Sequence, residues 1–88
     1  MDKLYERKVK MTNLEIYTKA FTDTFGISKE QTKGLRYQAI EAWDSVGHMG
    51  LVAAIEDSFS IMLEPDDIVD LSSFEKGIDI LKKYNVTV

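Results

Sequence analysis

The stretch Trp43-Asp44-Ser45-Val46-Gly47-His48-Met49 decides the reading of this chain. Asp and Ser are both favoured at the entrance of a helix, where a short side-chain oxygen satisfies a backbone N–H that has no partner within the helix. Beyond them the apolar residues recur at helical spacing. With Ser45 at zero and about 100° per residue, Leu51, His48, Ile55, Phe59 and Val52 fall between about 240° and 340°. This predicts a helix from near Asp44-Ser45 to about Phe59, with His48 as a semi-buried packing and hydrogen-bonding residue on its core-facing arc. Val46, Met49 and Ala53 fall between about 40° and 100°, beside Ser45 and away from that arc. Such an outward apolar stripe, bordered by Gly50 and Asp57, suits transient docking of a partner or packing against another helix.

Upstream of the motif, Thr12 and Glu15 have capping-box spacing. Leu14, Tyr17, Phe21 and Phe25 then recur at helical intervals, and Gly26 is a stop signal. These signals predict a first helix over about Asn13–Phe25. Between it and the motif lies a long connection, residues 27–44, in which Ser28 and Gln31 cap one short turn that Gly34 ends. Leu35, Tyr37, Ile40 and Trp43 are too irregular for a helix and are expected to pin the connection across the fold. Downstream, Glu64-Pro65-Asp66-Asp67 opens a short helix, with proline tolerated in its first turn. Ser72 and Glu75 form another capping-box pattern, and Phe74, Ile78 and Leu81 stripe a last helix ending near Tyr84. The only strand-like alternation is at 86–88. The expected fold is all-α: three main helices, one short helix and a long first loop. Residues 1–11 lack periodicity and read as a flexible N-terminal arm before one domain, 12–88.

Eighty-eight residues hold one small core. Cysteine is absent and histidine occurs once, which excludes a disulfide framework and a Cys-based zinc site. No apolar run approaches the roughly 20 residues a membrane-spanning helix needs, and residues 1–11 hold no signal-peptide core; a cytoplasmic location is the expectation. The net charge is −4, and no Lys or Arg occurs between Arg36 and Lys76. Glu41, Asp44, Glu56, Asp57, Glu64, Asp66, Asp67 and Asp70 make that region acidic, which disfavours nucleic acid and suits either a basic protein partner or a plain solvated surface. As a metal site, Glu64, Asp66, Asp67 and Asp70 lack the ligand periodicity and central glycine of a calcium loop.

The Trp-Asp-Ser-hydrophobic-Gly-His pattern at 43–48 resembles the attachment motif of acyl carrier proteins. The resemblance extends through Leu51, Ile55, Glu56 and Phe59 of the predicted second helix, through Ile61, and through Asp67-Ile68 at the third. It covers roughly Thr12–Tyr84. Gly50 departs from it, standing where many fatty-acid-synthesis carriers have Glu. The resemblance implies a four-helix carrier bundle, monomeric and without catalytic or metal-binding residues of its own. Ser45 would carry a 4'-phosphopantetheine arm whose thiol bears an acyl thioester. Asp44 would help the serine dock in a phosphopantetheinyl transferase that uses coenzyme A, and an acyl-activating ligase or synthase would load the thiol. Val46, Met49, Ala53, Glu56 and Asp57 are the candidate partner-binding residues.

The residues also have plainer readings. Ser45 by itself suits a simple helix cap, and Asp44 a favourable charge near the positive end of the helix. A phosphate on Ser45 would be favoured by the same unpaired N–H groups. Gly47 and Gly50, each costing about 1 kcal/mol in a helix relative to alanine, indicate close approach by a partner or ordinary tolerance. Ser45 and His48 are one turn apart, but the strained elbow and oxyanion hole of a serine hydrolase are missing. A peptidyl or aminoacyl carrier and an unmodified helical adaptor are the rival functions.

Overall fold

A computed structural model describes residues 11–88, so the expected N-terminal arm lies outside the described residues except for Met11. Among them the fold is all-α, with helices α1 (Asn13–Phe25), α2 (Ser45–Phe59), α3 (Pro65–Asp70) and α4 (Phe74–Lys82), and a 3-10 turn over Lys29–Thr32. No helix of the described residues is long and apolar enough to cross a membrane.

Local chemistry sets most of the helix ends. Thr12 Oγ1 accepts from the Glu15 N–H (3.1 Å), and Glu15 Oε1 accepts from the Thr12 N–H (2.8 Å). Gly26 ends α1 at φ +65°, a left-handed conformation that costs glycine little. Gln31 Oε1 accepts from the Ser28 N–H (3.0 Å), as its spacing implies. Pro65 occupies the start of α3, where its missing N–H costs nothing.

Aromatic packing then joins the helices. Tyr17, Ala20, Phe21 and Phe25 form the buried face of α1. Phe21 meets Phe74 and Trp43 edge-on, with ring centroids 4.9 Å and 5.5 Å away, while Phe25 stacks on Trp43 at 5.3 Å. Leu51, Val52 and Ile55 of α2 close the same core, with Ile80 and Leu81 of α4. Leu14 leaves the expected stripe and is 47 % exposed. The Tyr17 hydroxyl donates to the Phe74 carbonyl (2.7 Å). Burial first, and the nearby Glu75 carboxylate second, push that hydroxyl far above its ordinary value.

The long connection is pinned, as its apolar residues suggested. Leu35 and Trp43 are buried, and a short antiparallel clip ties 35–37 to the entrance of α4. In it the Tyr37 N–H donates to the Ser72 carbonyl and the Phe74 N–H to the Leu35 carbonyl, both at 2.9 Å. This clip overturns the expected Ser72–Glu75 capping box. Ser73, not Ser72, caps α4, its Oγ accepting from the Lys76 N–H (3.0 Å). Glu75 reaches instead to the Gly34 N–H (3.0 Å). The alternation at 86–88 forms no strand; Val86 is buried and the Thr87 carbonyl accepts from Asn13 Nδ2 (2.9 Å).

Candidate functional site at the start of α2

Ser45 is the first residue of the fifteen-residue α2, and it is exposed. The cap belongs to its neighbour. Asp44 Oδ1 accepts from the Gly47 N–H (2.8 Å), and the Asp44 carbonyl accepts from the His48 N–H (2.8 Å). Ser45 therefore does not serve as the cap, and among the described residues its hydroxyl has no structural duty at the helix start. Backbone N–H groups in the first turn and the aligned peptide dipoles make this end of α2 favourable for negative charge.

The approach of the connection to α2 explains Gly47. A Cβ built there would lie 1.9 Å from the Ala42 carbonyl oxygen, and 3.3 Å from the Phe25 ring. The close approach is therefore made by this chain's own backbone. At Gly50 the nearest atom is the Thr24 methyl carbon at 3.7 Å, so alanine fits.

His48 is half-buried and engaged through both ring nitrogens. Trp43 Nε1–H donates to Nδ1 (2.9 Å), and Nε2 lies 2.8 Å from the Ile68 carbonyl of α3. An indole nitrogen only donates and a carbonyl only accepts. Nδ1 is thus bare and Nε2 carries the proton, which leaves no ring nitrogen to take a proton from Ser45. His48, Tyr37, Ile68, Val69, Leu71 and Ser72 line an open cleft of about 240 Å³. A larger hollow of about 470 Å³, on the outer face of α1, shares no residue with it.

The other residues of interest separate by environment. Val46 is 79 % exposed and Met49 53 %, with Ala53 exposed beside them. The stripe faces outward and is not packed under α3. Asp57 is exposed, whereas Glu56 is half-buried and its Oε2 accepts from the Leu63 N–H (2.8 Å), holding the turn after α2. Of the acids around α3, Asp66 and Asp70 are exposed, but Asp67 is 3 % exposed. Its oxygens take Lys83 Nζ (2.5 Å) and the Tyr84 hydroxyl (2.6 Å). The bond from Lys83, and then that from Tyr84, hold the Asp67 carboxyl below the usual carboxylate range. Tyr84 oxygen in turn accepts from the Glu64 N–H (2.9 Å). This cluster fastens α3 to the end of α4, and no sequence motif announces it because its partners lie 16 and 17 residues apart.

No family model, curated protein or solved structure matches the chain.

Proposed function

We propose that this chain is an acyl carrier protein, holding an acyl group as a thioester on a 4'-phosphopantetheine arm attached to Ser45. The observation that carries this reading is the division of labour at the start of α2. Asp44 supplies the cap bond, so the exposed Ser45 hydroxyl is left for chemistry at the end of a helix that favours a phosphate. A phosphopantetheinyl transferase would join Ser45 Oγ to the β-phosphorus of coenzyme A. The hydroxyl proton is lost, the diphosphate P–O bond breaks, and adenosine 3',5'-bisphosphate leaves. An acyl-activating ligase or synthase would then load the arm's thiol.

The exposed Val46–Met49–Ala53 stripe beside Ser45 supports docking of such enzymes, and the base-free acidic region supports partners with basic faces. Engagement of both His48 nitrogens favours a carrier over a hydrolase built on Ser45. A peptidyl or aminoacyl carrier would use the same site with a different cargo.

The test is intact mass after incubation with coenzyme A and broad-specificity transferases. One phosphopantetheine should be added to the wild type and none to Ser45→Ala, which should keep the wild-type fold because Ser45 is exposed and does not cap α2. Modification persisting in Ser45→Ala would move the site. No modification by any of several transferases would favour an unmodified adaptor.

A further inference from the structure

The bonds of His48 join three parts of the molecule: the connection through Trp43, α2 through His48 itself, and α3 through the Ile68 carbonyl. Trp43 is fully buried, so its indole N–H depends on the bare Nδ1 for a partner. The two rings are within 13° of coplanar, and the Tyr37 ring meets His48 edge-on at 5.4 Å. His48 is only half-buried and lines the open cleft, so protons reach it from solvent.

We infer that His48 is a proton-sensitive brace, closed while its ring is neutral and opened on the Trp43 side when the ring is protonated. Protonation places an N–H on Nδ1, where the Trp43 N–H already points. Two donors cannot bond to each other. The Trp43 bond is therefore lost, while the bond to Ile68 keeps its donor and gains charge assistance. Release is one-sided: α3 stays attached and the connection lets go. Gln38 sits in that released segment at φ +68°, closing the loop by donating its N–H to the Trp43 carbonyl (3.0 Å). A left-handed non-glycine residue of this kind is held in place by its surroundings, so loosening Trp43 also loosens residues 38–43. Asp44 and Ser45 come directly after them in the chain, and acidification thus loosens the segment that leads into Ser45.

The charged and titratable groups on the stretches that meet His48 are few. Residues 36–44 bring Arg36, Tyr37, Glu41 and Asp44, and α3 brings Asp66, Asp67 and Asp70. Asp67 is already taken by Lys83 and Tyr84. The brace does not depend on Ser45 carrying any group, so it stands or falls separately from the carrier reading.

The chain has one Trp and one His, which makes the test direct. The His48 ring protons and the Trp43 indole N–H would be followed by NMR from about pH 8 to about pH 5, the range in which imidazoles change charge. Acrylamide quenching of Trp43 would be measured alongside. The indole N–H resonance should move upfield in step with protonation of the His48 ring, and the quenching constant should rise severalfold. His48→Gln keeps an acceptor and a donor but does not titrate, so both responses should be absent in it. The wild-type titration stands alone if that variant does not fold. An indole resonance that stays put while the ring titrates would overturn the inference, as would an equal response in His48→Gln, or a ring that protonates only as the whole chain unfolds.

Discussion

Replacing Gly47 with alanine tests whether the connection is pressed against the start of α2 tightly enough to exclude a methyl group. The new Cβ would lie 1.9 Å from the Ala42 carbonyl oxygen. That atom belongs to the backbone, so no rotamer change relieves the clash; the connection or the first turn of α2 must move. Overpacking costs typically about 1–3 kcal/mol, and a backbone clash belongs at the upper end. Alanine returns about 1 kcal/mol through its better helix propensity. The net loss is then about 2 kcal/mol, which for a domain of this size lowers the melting temperature by roughly 8–16 °C. Gly50→Ala is the matched control, since only the Thr24 methyl carbon lies nearby, at 3.7 Å. It should gain about 1 kcal/mol and melt roughly 4–8 °C higher. Thermal unfolding followed by far-ultraviolet circular dichroism reads both variants. Gly47→Ala melting at or above the wild type would refute the reasoning, and so would equal losses in the two variants.

Two further predictions concern the surroundings of the site. Asp67 has its carboxyl held below the ordinary value by Lys83 and then Tyr84; its contribution is therefore present above the unfolded-state value and lost as pH falls through the depressed folded one. Urea midpoints should fall more steeply on acidification in the wild type than in Asp67→Asn, and parallel profiles would remove Asp67 from the account. Met49 is 53 % exposed, so Met49→Ser should change stability by no more than about 0.5 kcal/mol while slowing modification of Ser45 or loading of the arm. A loss of about 2–5 kcal/mol, the range for truncating a buried side chain, would show that Met49 packs inside the fold.

Helix positions were legible because their signals are local. A capping box spans one turn, so Thr12 with Glu15 announced α1 and Ser28 with Gln31 the 3-10 turn. The outward stripe was equally legible, because helical periodicity alone separates Val46, Met49 and Ala53 from Leu51, Val52 and Ile55. The same reasoning failed at α4. Ser72 and Ser73 are adjacent and chemically equivalent as caps, and the choice was made elsewhere, by the clip that ties Tyr37 to the Ser72 carbonyl. Glu75, freed from its expected partner, reaches an N–H 41 residues away.

The order of the helices, the bounds of α1 and α2, the core face of α2 and the position of Ser45 at its head were therefore determined by the sequence alone. Each of these depends on residues within a turn or two of one another. By contrast, Leu14 of α1 faces solvent, and α4 buries Ile80 more fully than the expected Ile78. Only the tertiary structure decided that Gly47 is required and Gly50 is not, because the folded connection brings the Ala42 carbonyl against α2. It also decided the state of His48. The sequence placed that ring on the core side, but its tautomer results from having a donor, Trp43, on one side and an acceptor, the Ile68 carbonyl, on the other. Helical periodicity says which way a side chain faces. The groups it meets there are set by the packing of segments distant in the chain.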